Sequence, residues 1–217
     1  MQSLKRITSN KQNWLFGIYT CMLNLPIFLL AQTWGSLYLS QVHHLSMTKA
    51  TLVTSMIFIG TILGSPTLGW LSDTISRRKL PMLLGAIASL GIILLIMYLP
   101  SLSFTGLLLL FLILGYTTST QIITYPAISE SNSLVTNSGA LGLASILIMS
   151  GGAIFEPMFG WLMQRNLSHE VIDGIPNYSN ADYHHAFMIL PVAFIVGIIA
   201  MFFAKETSCR KLKSDEN

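Results

Sequence analysis

The sequence predicts an all-α, polytopic membrane protein of six transmembrane helices, and three observations carry that expectation. Six long apolar stretches fill the chain, near 13–39, 50–71, 80–100, 103–126, 137–163 and 184–204. Each is near the ~20 mainly apolar residues that cross a hydrocarbon core of roughly 30 Å as a helix. They lack period-two alternation and are too long for barrel strands. Charge is scarce: 10% of residues are charged where a soluble domain has about a quarter, and mean hydropathy is +0.62. The remaining charge lies between the stretches or at the chain ends. One bundle, 13–204, is expected between an N-terminal segment, 1–12, and a basic tail, 205–217, with no room for a folded soluble domain.

Charge asymmetry orients the bundle. With the N-terminus inside, the inner segments hold Lys5, Arg6, Lys11, Arg77, Arg78, Lys79, Lys205, Arg210, Lys211 and Lys213, and the outer ones only Lys49 and Arg165. Both termini are therefore expected in the cytoplasm, in the cell (inner) membrane. The net charge of +3 does not point to nucleic acid, because the basic residues flank spans rather than form one patch. The basic start followed by an apolar run mimics a signal peptide. The run is too long and has no small-residue cleavage site, so a retained first helix is expected. Cys21 and Cys209 fall on the inner side, where reduced thiols are the default. Asn166 and Asn177 begin glycosylation sequons in the longest outer loop, relevant only to a eukaryotic secretory route.

Taken in order, span one carries Asn24 near mid-depth, then Pro26, Gln32, Trp34 and Tyr38. Pro26 frees backbone groups. Asn24 either satisfies that kink or stands beside it as a cavity wall. Trp34 and Tyr38 suit a cavity or an interfacial aromatic belt equally. Span two holds Gly60 and Gly64 as G-x-x-x-G, a close-packing signal. It leads into Gly69-Trp-Leu-Ser-Asp73-Thr-Ile-Ser-Arg77-Arg78-Lys79. There a glycine allows close helix approach, and a carboxylate one turn later can accept N–H groups at a helix N-terminus. Basic residues then hold the loop at the cytoplasmic face.

This loop resembles the signature loop of the major facilitator superfamily. Gly69, Asp73, Arg77 and Arg78 match; Thr74 replaces a usual basic residue and Ser76 a usual glycine. Members have twelve spans in two six-helix halves, each a 3+3 inverted repeat. The degraded loop, the Pro157-x-x-Gly160 element and the last helix with its polar tail resemble the second half. The resemblance thus implies one six-helix half, helices seven to twelve, with the start before Trp14 as a remnant of the central linker. It implies secondary transport of a small polar solute, such as an amino acid, small peptide or organic anion. It also implies a separate N-terminal half, or a second copy, as partner. The other possibility is a transport-inactive fragment or membrane assembly partner.

Span three is almost wholly apolar. In span four, residues 116–125 read YTTSTQIITY. Tyr116 and Thr120 share a face, as do Thr117 and Gln121. The hydroxyls suit a bond to their own helix as well as they suit a solute, whereas Gln121 and Tyr116 suit a cavity. Glu130, past Pro126, is placed to bridge Arg77 as an inner latch, or else to stand as a solvated carboxylate. In span five, Glu156 lies roughly 10 Å below the outer interface at 1.5 Å per residue. Ionised groups at a helix centre cost on the order of 2.5–3.5 kcal/mol. Glu156 could couple transport to protons, bond to a neighbouring helix, or reach a wet vestibule. Glycines Gly139, Gly142, Gly151, Gly152 and Gly160 favour packing of this span. No Walker loop, H-E-x-x-H or G-x-S motif occurs, so no enzyme, cofactor or metal site is expected; the five histidines lie near the outer face without ligand partners at suitable spacing.

Overall fold

A backbone polar group cannot be left unpaired in hydrocarbon, so each apolar stretch must close its hydrogen bonds within itself. The computed structural model, which describes residues 2–99, 102–165, 171–172 and 175–210, shows how it does so. Among the described residues, six helices are long and apolar enough to cross a membrane: Lys11–Thr33, Met47–Thr74, Lys79–Tyr98, Phe104–Glu130, Leu134–Met163 and Asn180–Phe203. They are called spans one to six. Three starts are set by side-chain caps. Asn10 accepts from the Gln12 N–H at 3.0 Å and Ser103 from the Gly106 N–H at 3.1 Å, while Ser179 and Asp182 form a reciprocal capping box. Spans two, four and five extend three or four residues beyond the apolar stretches, into segments that include Asp73, Glu130 and Thr136.

Residues 2–9 form a further helix, Gln2–Ser9, whose Ile7 is buried against Gly139 of span five. Span one breaks at Trp34 and resumes as a short helix, Gly35–Gln41. A two-residue antiparallel pairing, Val171 with Pro176 and Ile172 with Ile175, lies between spans five and six. Of the sequon residues, Asn166 and Ser168 lie outside the described residues.

The packing has an internal symmetry. Span one packs on span five as span four packs on span two, span six meets span one as span three meets span four, and spans three and six pack together. Exchanging one with four, two with five and three with six preserves this pattern, as a 3+3 repeat requires. Spans two and five are also the least buried, and each contains a proline, Pro66 and Pro157. Small residues permit these approaches. A Cβ on Gly60 would stand 2.1 Å from the Leu112 carbonyl oxygen, one on Gly115 2.1 Å from that of Ile57, and one on Gly151 2.6 Å from Cys21 Sγ.

Buried polar links then fix the register. The Tyr19 hydroxyl donates to the Met82 carbonyl at 2.7 Å and lies 2.9 Å from Thr120 Oγ1, joining spans one, three and four. Asn13 and Asn132 exchange amide bonds of 2.6 and 3.2 Å. At the opposite end Trp34 and Tyr38 form no lipid-facing belt. They join Phe159, Tyr183 and Phe187 in an aromatic plug with ring separations of 5.0–5.3 Å, and Gln41 accepts from the Tyr183 hydroxyl at 2.8 Å.

Gly60→Ala therefore forces spans two and four apart, and overpacking of this kind costs about 1–3 kcal/mol. Gly142 meets nothing within 4 Å among the described residues. Gly142→Ala should be neutral or stabilising by up to about 1 kcal/mol through helix propensity. Thermal unfolding in detergent should separate the two variants; equal midpoints would contradict this packing.

Candidate functional site

Spans one and four are both interrupted at mid-helix. Pro26 has no N–H to give the preceding turn, and span one widens to a π-helix over Ile27–Thr33, closed by the Trp34 N–H on the Leu29 carbonyl at 2.9 Å. Span four tightens to a 3₁₀ segment over Ser119–Ile123. Hydroxyls support that turn: Thr118 donates to the Leu114 carbonyl at 2.8 Å, Ser119 to Tyr116 at 2.7 Å and Thr120 to Thr117 at 2.9 Å. Most of the serine and threonine hydroxyls are thus engaged with their own helix. Thr120 is buried against Tyr19.

The amides behave differently. Half-buried Gln121 donates through Nε2 to Asn24 Oδ1 at 2.9 Å, bridging the two interrupted spans. Tyr116 receives the Thr67 hydroxyl at 3.1 Å from span two. Thr67 escaped the sequence reading, although it follows Pro66 and so carries the same signal as Asn24 beside Pro26. Gln32 is exposed on the π segment, apart from this pair. Its neighbour Thr33 approaches half-buried Glu156, 3.5 Å from Oε1. Three polar contacts thus join span one to four, two to four, and one to five.

A second cluster lies at the end that carries the loop between spans two and three. The expected bridge from Arg77 to Glu130 is not formed. Arg77 is exposed, and Arg78 turns inward, 6% exposed, with Nη2 at 2.7 Å from Glu130 Oε1 and Nε at 3.2 Å. The left-handed Ser76, φ 51°, reverses the chain and decides which arginine enters. Arg78 Nη1 also bonds to Asp73 and, at 3.2 Å, to Ser72 Oγ. Asp73 therefore caps no helix; it ends span two and pairs with Arg78. Gly69 is not a close-contact point either, with nothing within 4 Å of a Cβ there among the described residues.

The cap on span three comes from the far end of the chain. Glu206 accepts from the backbone N–H of Arg78 at 2.7 Å and of Lys79 at 2.9 Å. Thr207 donates to Glu130, and Lys79 Nζ donates to the Phe202 and Ala204 carbonyls at 2.9 and 3.1 Å, capping span six in return. Burial works against the Arg78 charge, but the bonds to Glu130 and Asp73 outweigh it and hold its pKa above the ordinary value. Burial also pushes the Glu206 carboxyl up, yet the N–H groups of Arg78, Ser208 and Lys79 outweigh it and hold it below the usual carboxylate range.

Six apolar helices in two inverted triplets, with polar contacts where their first members are interrupted, define an integral multi-pass membrane protein of the transporter class. The family model of the Major Facilitator Superfamily matches residues 9–217, and the chain belongs to that superfamily. It is similar to the probable hexose phosphate transport proteins of Chlamydia muridarum (strain MoPn / Nigg) and Chlamydia trachomatis serovar D, 34% identical to each over 73 residues. Each match covers 34% of this chain and 16% of the relative's length.

Arg78→Ala leaves Glu130 buried without its cation, a loss of about 3–5 kcal/mol. Arg77→Ala should stay within about 0.5 kcal/mol. Thermal unfolding of both variants checks the assignment, and a larger loss from Arg77→Ala would overturn it. A depressed carboxylate stabilises its contacts above the ordinary carboxylate range and loses them as pH falls through the folded value. Exchange of the Arg78 and Lys79 amides, corrected for intrinsic rates, should therefore accelerate below that range. Glu206→Gln should show the faster exchange already at neutral pH.

Proposed function

We propose that this chain is one six-helix half of a secondary transporter that moves a small polar solute by alternating access. The observation that carries this reading is the paired interruption of spans one and four. Interrupted helices at corresponding positions of two repeats point to the substrate site, and here they bring Asn24 and Gln121 together. Tyr116 extends the same wall. The sparse burial of spans two and five, and the open surface at Gly69 and Asp73, support a separate N-terminal half, or a second copy, as the occupant of that face.

Among amino acids, peptides and organic anions, the observations favour a hydroxyl-bearing organic anion. Amides and hydroxyls suit the hydroxylated body of such a solute, and the relatives are named for hexose phosphate. Among the described residues, cations within the six spans occur only at their starts, at Lys11, Lys49 and Lys79. The charge that meets a phosphate would therefore come from the partner half. Glu156 is the coupling carboxyl in this reading, and the Arg78–Glu130 cluster is the cytoplasmic latch, with both termini on that side of the cell membrane. Alternating access requires such a latch to break in each cycle, and its exposed Asp73 edge is the weaker one.

Uptake into cells that carry the chain in its native genomic setting tests this reading. Labelled hexose 6-phosphate should accumulate more than glucose or amino acids, and deletion of the gene should abolish the difference. Gln121→Ala strands the Asn24 amide and should lower uptake about tenfold, the effect of roughly 1.4 kcal/mol. Glu156→Gln should remove proton dependence while leaving solute exchange. Wild-type uptake after deletion would leave the chain without a transport role.

A further inference from the structure

Spans five and six leave between them an apolar cleft of about 290 Å³, floored by Met22 of span one and walled by Phe155, Met158 and Val192. Towards the loop between these spans it runs into a second opening of about 530 Å³, whose lining includes Arg165 and Asp182. Leu162, His185 and Met188 line both, so the two form one groove with an apolar body and a polar mouth. Arg165 at the mouth lies two residues past Met163, the end of span five, where a spanning helix leaves the hydrocarbon.

The charges at the mouth are unequal. The Asp182 carboxylate is 4% exposed and already accepts from the Ser179 N–H at 2.9 Å and from the Ser179 hydroxyl. Arg165 and His185 are both exposed. The guanidinium of Arg165 stands 5.8 Å from the centre of the Trp161 ring, which is itself exposed at this depth. The groove thus offers a cation and an imidazole above a channel lined by methionine, leucine, valine and phenylalanine. In a bilayer an apolar cleft that opens sideways is filled by an acyl chain, since leaving it empty forfeits contacts on every wall.

We propose that this groove is a binding site for an acidic phospholipid of the leaflet opposite the Gly69–Lys79 loop. One acyl chain lies between spans five and six, and the phosphate is met by Arg165 and His185. A headgroup with net negative charge and no cation of its own complements the mouth better than a zwitterionic one, whose ammonium would stand close to Arg165.

Native mass spectrometry of the full chain in detergent tests this, with phosphatidylglycerol and phosphatidylcholine of identical acyl chains as probes. One phosphatidylglycerol should be retained in preference to phosphatidylcholine by about fivefold, the effect of one basic residue near an anionic lipid. Arg165→Gln, a surface change that leaves the helices intact, should erase the headgroup preference and keep chain binding. Met158→Trp fills the channel and should remove both lipids. Lys49→Gln, a cation at the same end but outside the groove, should change nothing. Glycerol 3-phosphate should not compete, which separates a lipid site from one for free phosphate. Equal retention of the two lipids, or a preference that survives Arg165→Gln, would overturn the proposal.

Discussion

An unpaired backbone N–H or C=O in hydrocarbon costs several kcal/mol, and this chain departs from regular helix in only a few places within its spans. The departures are therefore informative. At Pro26 the missing donor is absorbed by a π turn. At Ser119–Ile123 a 3₁₀ turn is held by threonine and serine hydroxyls that bond back to the preceding turn. Both pack against other helices on one side, where neighbours can supply what the backbone lost. The Asn24–Gln121 contact follows from that placement. The same rule explains why glycines concentrate where spans two and four cross, since a helix can expose a carbonyl only to a close partner.

A second constraint acts outside the hydrocarbon, on Arg78. A buried guanidinium must be surrounded by acceptors. Glu130, Asp73 and Ser72 provide them from the ends of two different spans. The tail completes the cluster, because Thr207 and Glu206 occupy the remaining acceptor and donor positions around Glu130 and the Arg78 backbone. One residue, through its side chain and its backbone N–H, thereby ties together spans two, three and four and the tail after span six.

How much was legible in the sequence follows from the range of each interaction. The six spans depend on local composition and were readable, as was the need of Asn24 and Gln121 for partners, because amides at mid-depth must find one. The choice between Arg77 and Arg78 was not. It depends on one left-handed residue, Ser76, and a one-residue shift turns a side chain by about 100° around a helix of 3.6 residues per turn. Glu206 was invisible because its partners at Arg78 and Lys79 are distant in the chain and meet it only after all six spans have packed. Trp34 and Tyr38 looked equally like belt residues until the plug with Phe159 and Phe187 placed them inside.

The two ends of the bundle are consequently held by different physics, and this bears on how a half of this kind would move. At the end with the two–three loop, cohesion is ionic and partly wet; Asp73 is 64% exposed, and water can replace its share of the contact. At the other end it is aromatic and dry around Tyr38 and Tyr183, and separating those rings exposes apolar surface with no substitute. Between the ends, glycine-mediated crossings of spans two with four and one with five leave no slack for sliding. Such a unit yields at its ionic end before it slides along those crossings. The freedom then lies on the sparsely buried faces of spans two and five, and the ionic end separates at lower cost than the aromatic one.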